Sequence, residues 1–370
     1  MGYSNTGKPV FYVSVLQWLK SIGQLEEGMA GTSGGDGTVI SDKDRLDIVD
    51  MTSPGQMEWY EPDTSNRWIA VYRNKLGAFN QVMPGSKNFA MVLGHNLSVA
   101  NGVDEYIISK EKQNNDFDNT TGSNWLAHNG YVNYDTPSGQ QSEYNGWSLA
   151  VGNSGGGCGS DTMGIEILEQ SNANSRKIKA YLYGTYFNVP HSPDLKLTMT
   201  REMGDGVKRI RTKGGADLVN YRYTKQPSWG VAAPWELYGT SLPNNKLARS
   251  GRRVWDLSFS YFQDSDIFPE ISNLNWFEAY KDEYNPDAGL SGVILYEDSV
   301  ETRSQTLLQD DNFYSQVIHK TNGGQLPFVF QPNLKNYNDM AICKFDMKSF
   351  QFKQVANGVY NVKLKIREVW

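Results

Sequence analysis

At 370 residues the chain is too long for one small core, so two domains with extensions are expected. Glycine contributes 36 residues, aromatics 12% and charged residues 21%, which points to a mainly β protein rather than a helical or disordered one. The net charge of −6 argues against a nucleic-acid partner, and no nucleic-acid-binding motif is present.

The opening twenty-four residues predict one short strand, Pro9 to Val15, running into a turn of helix near Leu16 to Ile22. The start has no basic leader and its apolar run is broken by Ser14 and Gln17, so a signal peptide is not expected. GMAGTSGGDGT, Gly28 to Thr38, follows with five glycines and reads as a flexible linker. Residues 1–50 therefore read as an N-terminal arm with Phe11, Tyr12, Leu16 and Trp18 as anchors on a neighbouring subunit.

From Met57 strand signals recur: MEWYEP, RWIAVYR, the run NFAMVLGHNL from Asn88 to Leu97, and DEYIIS. In NFAMVLGHNL both alternating sets are apolar, as expected for a strand buried on both faces. Residues 114–147 are polar and dotted with aromatics, and GWSLAV, GIEILEQ, KIKAYLYGTYF and LKLTMT supply four further strands. Short strands separated by Gly, Asn and Pro predict a jelly-roll β-sandwich at 51–200.

A second, β-rich α+β domain is expected at 201–370. Arg201 to Arg253 holds eleven Lys or Arg against four acids, a net +7 that leaves −13 for the remainder. Either this is a solvated basic face, or it docks on an acidic side of a neighbour, with Arg209, Arg211 and Arg253 as interface candidates. In GRRVWDLSFSYFQDSD, residues Trp255, Leu257, Phe259 and Tyr261 alternate with Asp256, Ser258 and Ser260, giving one aromatic and one polar face. WFEAYKDEY (276–284) and SQTLLQDDNFYSQVIHK (304–320) are the helical candidates. QLPFVFQP reads as a short buried strand, and the last segment reads as a hairpin turning at Asn357-Gly358. Its second strand, with Tyr360, Val362, Leu364 and Ile366 on one face, is the expected partner of the Trp255 strand.

Signals for chemistry are sparse. The four histidines, His95, His128, His191 and His319, show no metal-pair spacing. Cys158 and Cys343 define no disulfide framework. Asp116, Asp118, Thr120 and Gly122 echo a calcium loop, but Ala127 stands where its final carboxylate belongs. Asp264 and Asp266 read as the end of a strand. GNSGGGCG, Gly152 to Gly159, lacks the lysine of a phosphate-binding loop. No apolar run reaches the roughly 18 residues of a membrane span, so no membrane insertion is expected. The reading is of a protein without catalytic residues, metal or cofactor.

Two sets of motifs carry a resemblance. NFAMVLGHNL resembles the strand and turn of jelly-roll modules in phage tail and adaptor proteins, and RRVWDLSFSY with QLPFVFQP and AICKFD…NGVYNVKLKIREVW resembles the C-terminal module of phage tail-tip or baseplate proteins. The resemblance covers about half of the chain, mostly after Thr200. It implies a structural component of the tail of a bacteriophage virion, of distal-tail or adaptor type, made in the host cytoplasm and assembling with copies of itself and neighbouring tail proteins. One alternative is a module for host surface glycans, with Trp125, Tyr131, Tyr134 and Trp147 stacking on sugar rings. A polysaccharide-degrading tail enzyme is the other.

Overall fold

The computed structural model describes residues 6–28, 38–39, 45–53, 57–60, 68–85, 87–97, 103–112, 125–127, 146–152, 159–170, 176–202, 209–219, 252–269, 307–336 and 339–369. The chain is mainly β, in several antiparallel sheets. The largest has ten strands. Four come from the N-terminal part: β1 (Val10–Ser14), β6 (Asn88–His95), β9 (Gly146–Gly152) and β12 (Ala180–Asn188). Six come from the C-terminal part: β13 (Thr198–Glu202), β16 (Arg252–Gln263), β17 (Phe328–Gln331), β18 (Ala341–Phe345), β19 (Phe352–Ala356) and β20 (Val359–Glu368). They run in the order β13-β16-β20-β18-β17-β1-β12-β6-β9, with β19 also paired to β20.

The first strand is the seam of this sheet. Phe11 faces Phe187 of β12 on one side and Phe330 of β17 on the other. The segment read as a detached arm is thus an interior strand, which corrects that expectation. The physical reason lies in its composition. VFYVS is apolar at both alternating sets, and every residue of it is buried. The ten-stranded sheet also runs across the boundaries expected at 50 and 200, because β1 hydrogen-bonds to strands from both sides of Thr200.

Alternation then sorts the core. Phe11 and Val13 join Phe187, Phe328, Phe330 and Phe345 on one face, where Phe11 lies 5.2 Å from Phe330 and 5.4 Å from Phe328 between ring centroids. Val10 and Tyr12 point to the other face, among Phe89, Met91, Leu182 and Val329, and the Tyr12 hydroxyl donates to Gln331 Oε1 at 3.0 Å. Helix α1 (Val15–Ser21) follows at once, its first turn capped by Ser14 Oγ accepting from the Gln17 N–H. It places Leu16, Trp18 and Leu19 in a core with Tyr72, Tyr181 and Tyr183. A Cβ on Gly184 would stand 2.1 Å from the Val13 carbonyl oxygen, so only glycine lets β12 pass this close to the strand-to-helix corner.

The smaller sheets complete the chain. Five strands, β2 (Leu25–Gly28), β5 (Trp68–Asn74), β7 (Val103–Lys112), β8 (Trp125–Ala127) and β10 (Thr162–Gln170), run in the order β2-β5-β10-β7-β8. Strands β3 (Thr38–Val39), β4 (Met57–Tyr60) and β11 (Arg176–Ile178) form a third sheet. Finally β14 (Arg209–Arg211) and β15 (Asp217–Val219) pair as a hairpin that has no third strand among the described residues. Among the described residues no helix is long and apolar enough to cross a membrane.

The C-terminal part follows its pattern closely. Strand β16 pairs with β20, the Asn357-Gly358 turn joins β19 to β20, and β17 is fully buried. One residue departs. An irregularity in register between Phe259 and Phe262 inserts an extra residue, so Phe262 enters the core and Tyr261 does not. Tyr261, expected on the aromatic inner face, is 73% exposed with φ +66°. Of the helical candidates, 276–284 lies outside the described residues. In 304–320 residues 307–309 make a short helical turn and Tyr314–His319 a π-helix, with Val317 and Ile318 buried.

Candidate assembly surface

The expected interface residues separate into two groups. Phe11, Tyr12, Leu16 and Trp18 are buried within the chain's own core and are no longer candidates for contact with a neighbour. Arg253 is likewise only 8% exposed, which corrects its assignment to a basic surface. Its Nη1 donates to Asp339 Oδ1 at 2.6 Å, its Nη2 to the Met340 carbonyl at 3.0 Å, and its backbone N–H to Glu368 Oε2 at 2.8 Å. The guanidinium also lies 5.0 Å from the Trp255 ring centroid. Burial alone would lower its pKa, but the Glu368 and Asp339 carboxylates outweigh that and raise it. Arg253 therefore ties β16 and the end of β20 to the segment before β18.

Arg209 and Arg211 lie on the β14–β15 hairpin. There Ile210 stands opposite Leu218, and Arg211 opposite Asp217. Ile210 is 61% and Leu218 58% exposed, so this cross-strand pair presents an apolar spot to solvent. Arg211 and Lys213 are exposed beside it. The turn itself is firm, because Thr212 Oγ1 accepts from the Ala216 N–H and the Thr212 N–H donates to the Ala216 carbonyl. This hairpin joins exposed apolar side chains to the basic segment that the sequence singled out.

The expected sugar-stacking residues do not gather in one sheet. Trp125 opens β8 at one edge of the five-stranded sheet, whereas Trp147 belongs to β9 at one edge of the ten-stranded sheet. Tyr131 and Tyr134 lie outside the described residues, as does the acidic loop 116–122. Among the described residues no group of three or more His, Cys, Asp or Glu could hold a metal ion.

Three buried polar groups have structural explanations. His95 Nδ1 accepts from the Leu97 N–H at 3.2 Å, which puts the ring proton on Nε2, 2.9 Å from Ser148 Oγ. Cys343 is free and buried, and burial raises its thiol pKa far above the ordinary value. Lys320 is buried at the end of the π-helix, donating to the Leu308 carbonyl at 2.8 Å and the Ser315 carbonyl at 3.1 Å. Its desolvation lowers its pKa to about 7. The neighbouring His319, packed 5.6 Å from the Trp18 ring, is brought down to about 4 by burial and then by Lys320.

Neither the buried lysine nor the re-aimed Tyr261 is signalled in the sequence. Lys320 sits in an ordinary helical pattern, and Tyr261 continues a perfect alternation. A comparison with known protein families, curated proteins and solved structures finds no match.

Proposed function

We propose that the protein is a non-enzymatic structural component of a bacteriophage virion, at the tail or baseplate, which assembles in multiple copies. The observation that carries the reading is the hairpin Arg209–Val219, where Ile210 and Leu218 lie exposed side by side within a segment of net +7. A two-stranded hairpin with its apolar pair exposed is marginally stable in water and gains from being covered. The occupant is a second copy of the chain, whose residues outside 201–253 carry −13 and so complement the hairpin's charge. The phage assignment rests on the resemblance of RRVWDLSFSY and the closing hairpin to tail-tip and baseplate modules.

Sedimentation of the purified chain over a range of concentrations and salt tests the assembly. Association that weakens with salt is expected, and the Ile210→Asp/Leu218→Asp variant should be shifted towards monomer with an unchanged melting temperature. A chain that stays monomeric at every concentration, or a variant that associates like the wild type, overturns the reading. Antibody labelling of intact phage particles tests the location.

A further inference from the structure

The π-helix Tyr314–His319 and its flanks carry polar side chains where a core ordinarily takes apolar ones. Asn312, Ser315, Gln316, Lys320 and Thr321 are all buried. Ser315 Oγ, Gln316 Oε1 and His319 Nδ1 have no hydrogen-bond partner among the described residues, so this is a costly place in the fold. One stretch, 307–312, supplies acceptors to it. The Leu308 carbonyl accepts from Lys320 Nζ at 2.8 Å and from Gln316 Nε2 at 3.3 Å. Gln316 Nε2 also donates to the Asp310 carbonyl, and Asn312 Oδ1 accepts from the Ser315 N–H at 2.8 Å.

That stretch is fastened lightly on its other side. Gln309 Nε2 donates to the Asn80 carbonyl at 2.8 Å, Asp311 pairs with Lys87, and both ties are open to solvent. Leu308 packs, partly buried, against the core that holds Leu16 and Trp18. Residues 307–310 are half-buried and Asp311 is exposed. A segment with few buried apolar contacts belongs to the part of a fold that opens most readily.

The acceptors around Lys320 fit an uncharged amine. Its two N–H donors match two carbonyls, Leu308 at 2.8 Å and Ser315 at 3.1 Å. Protonation adds a third donor and a full charge inside a fully buried site, and no carboxylate among the described residues pairs with it. The elements packed around it carry other charged or titratable groups, but these are engaged elsewhere. Asp311 pairs with Lys87 and raises the pKa of Tyr186 on β12, and Asp47 pairs with Lys20 at the end of α1. Asp310 meets the cluster through its carbonyl, and His319 packs on Trp18, where a charge would only repel the amine.

We propose that 307–312 is an acid-released strap, which lifts when the Lys320 amine is protonated and so lets the charge reach water. The closed amine titrates at about 7 and an exposed lysine at 10.5. Between those values the open form binds more protons, so opening grows as pH falls and levels off below about 7. Lifting also takes Leu308 from its place beside Leu16 and Trp18, so acidification uncovers apolar surface. The strap shares no residue with the β14–β15 hairpin and is independent of the assembly reading.

Hydrogen exchange of the full chain, read by mass spectrometry from about pH 6.5 to 10 and corrected for the intrinsic rate, tests the strap. Its reporters are the Ser315 and Gln316 N–H groups, bonded to Asn312 Oδ1 and to the Asn312 carbonyl at 3.0 Å. Their opening should grow by up to about tenfold for each unit from pH 10 down to about 7, then stay level. It should exceed the opening of β20 amides at every pH, because the strap moves without the sheet. In Lys320→Met the pH dependence should vanish, since methionine takes no proton. Gln309→Ala removes a tie remote from the amine and should raise opening about fivefold at every pH with the slope unchanged. The proposal is overturned by opening that does not vary with pH, or by Lys320→Met keeping the wild-type slope. It is equally overturned if Gln309→Ala opens like the wild type, or if the reporters exchange no faster than β20. The wild-type slope and Gln309→Ala decide the matter even where Lys320→Met does not fold.

Discussion

Replacing Phe11 by alanine separates a strand that belongs to this chain's core from one that serves a neighbour. Phe11 is fully buried, and its ring packs against four others, Phe313, Phe328, Phe330 and Phe345, at centroid distances of 5.6, 5.4, 5.2 and 5.9 Å. Phe313 comes from the segment leading into the π-helix, Phe328 and Phe330 from β17, and Phe345 from β18. The cavity would thus open where β1 joins the C-terminal strands, and strands held on both sides relax little. Truncation of a buried Phe to Ala costs about 3–5 kcal/mol, and this site belongs in the upper half of that range. Against the roughly 5–15 kcal/mol of a typical domain, that is a large share of the stability. Urea denaturation followed by tryptophan fluorescence should show the midpoint falling by about 1–2 M. Leu195→Ala is the control, because Leu195 is fully exposed and its truncation should shift stability by less than about 0.5 kcal/mol. If Phe11→Ala denatures like the control at concentrations where the chain is monomeric, β1 is not a core strand of its own chain.

Two further outcomes follow from the buried charges. Arg253→Met takes the guanidinium away from the Glu368 carboxylate, itself 1% exposed, and from Asp339, and should cost about 3–5 kcal/mol in chemical denaturation. Arg253→Met/Glu368→Met should recover part of that loss, since of the three charges only the Asp339 carboxylate, whose side chain is 16% exposed, then remains; a double variant no more stable than the single one refutes the argument. Lys320 and His319 shape the pH dependence. Both have folded pKa values below their unfolded ones, so between the two values the unfolded chain binds more protons and stability rises with pH. The windows are about 4 to 6.5 for His319 and about 7 to 10.5 for Lys320, each with a slope of at most about 1.4 kcal/mol per pH unit. Lys320→Met should flatten the upper window when denaturation midpoints are compared across pH, and an unchanged upper slope would show that Lys320 is charged in the folded chain.

Much of the secondary structure is legible in the residues themselves. The alternation of Trp255, Leu257 and Phe259 specifies β16, the Asn357-Gly358 turn specifies the last hairpin, and the doubly apolar run at Asn88 specifies a strand buried on both faces. These are local signals, because side-chain period and turn chemistry act over a few residues. Position within the sheet is a different matter. Nothing in VFYVS says whether its partner is a neighbouring copy or β17, and the Tyr12–Gln331 hydrogen bond closes over 319 residues. Arg253 reads as a surface cation until Asp339 and Glu368, 86 and 115 residues further on, are folded against it. Tyr261 leaves the face that its alternation assigns because a bulge adds one residue to the strand, and the side chains beyond it change face. Sequence alone determined most of the longer strands and where charge accumulates, but not the short strands β2, β3, β8, β14 and β15. Only the tertiary structure decided which strands meet and which charges leave the surface, since burial depends on partners that the chain brings together from far away.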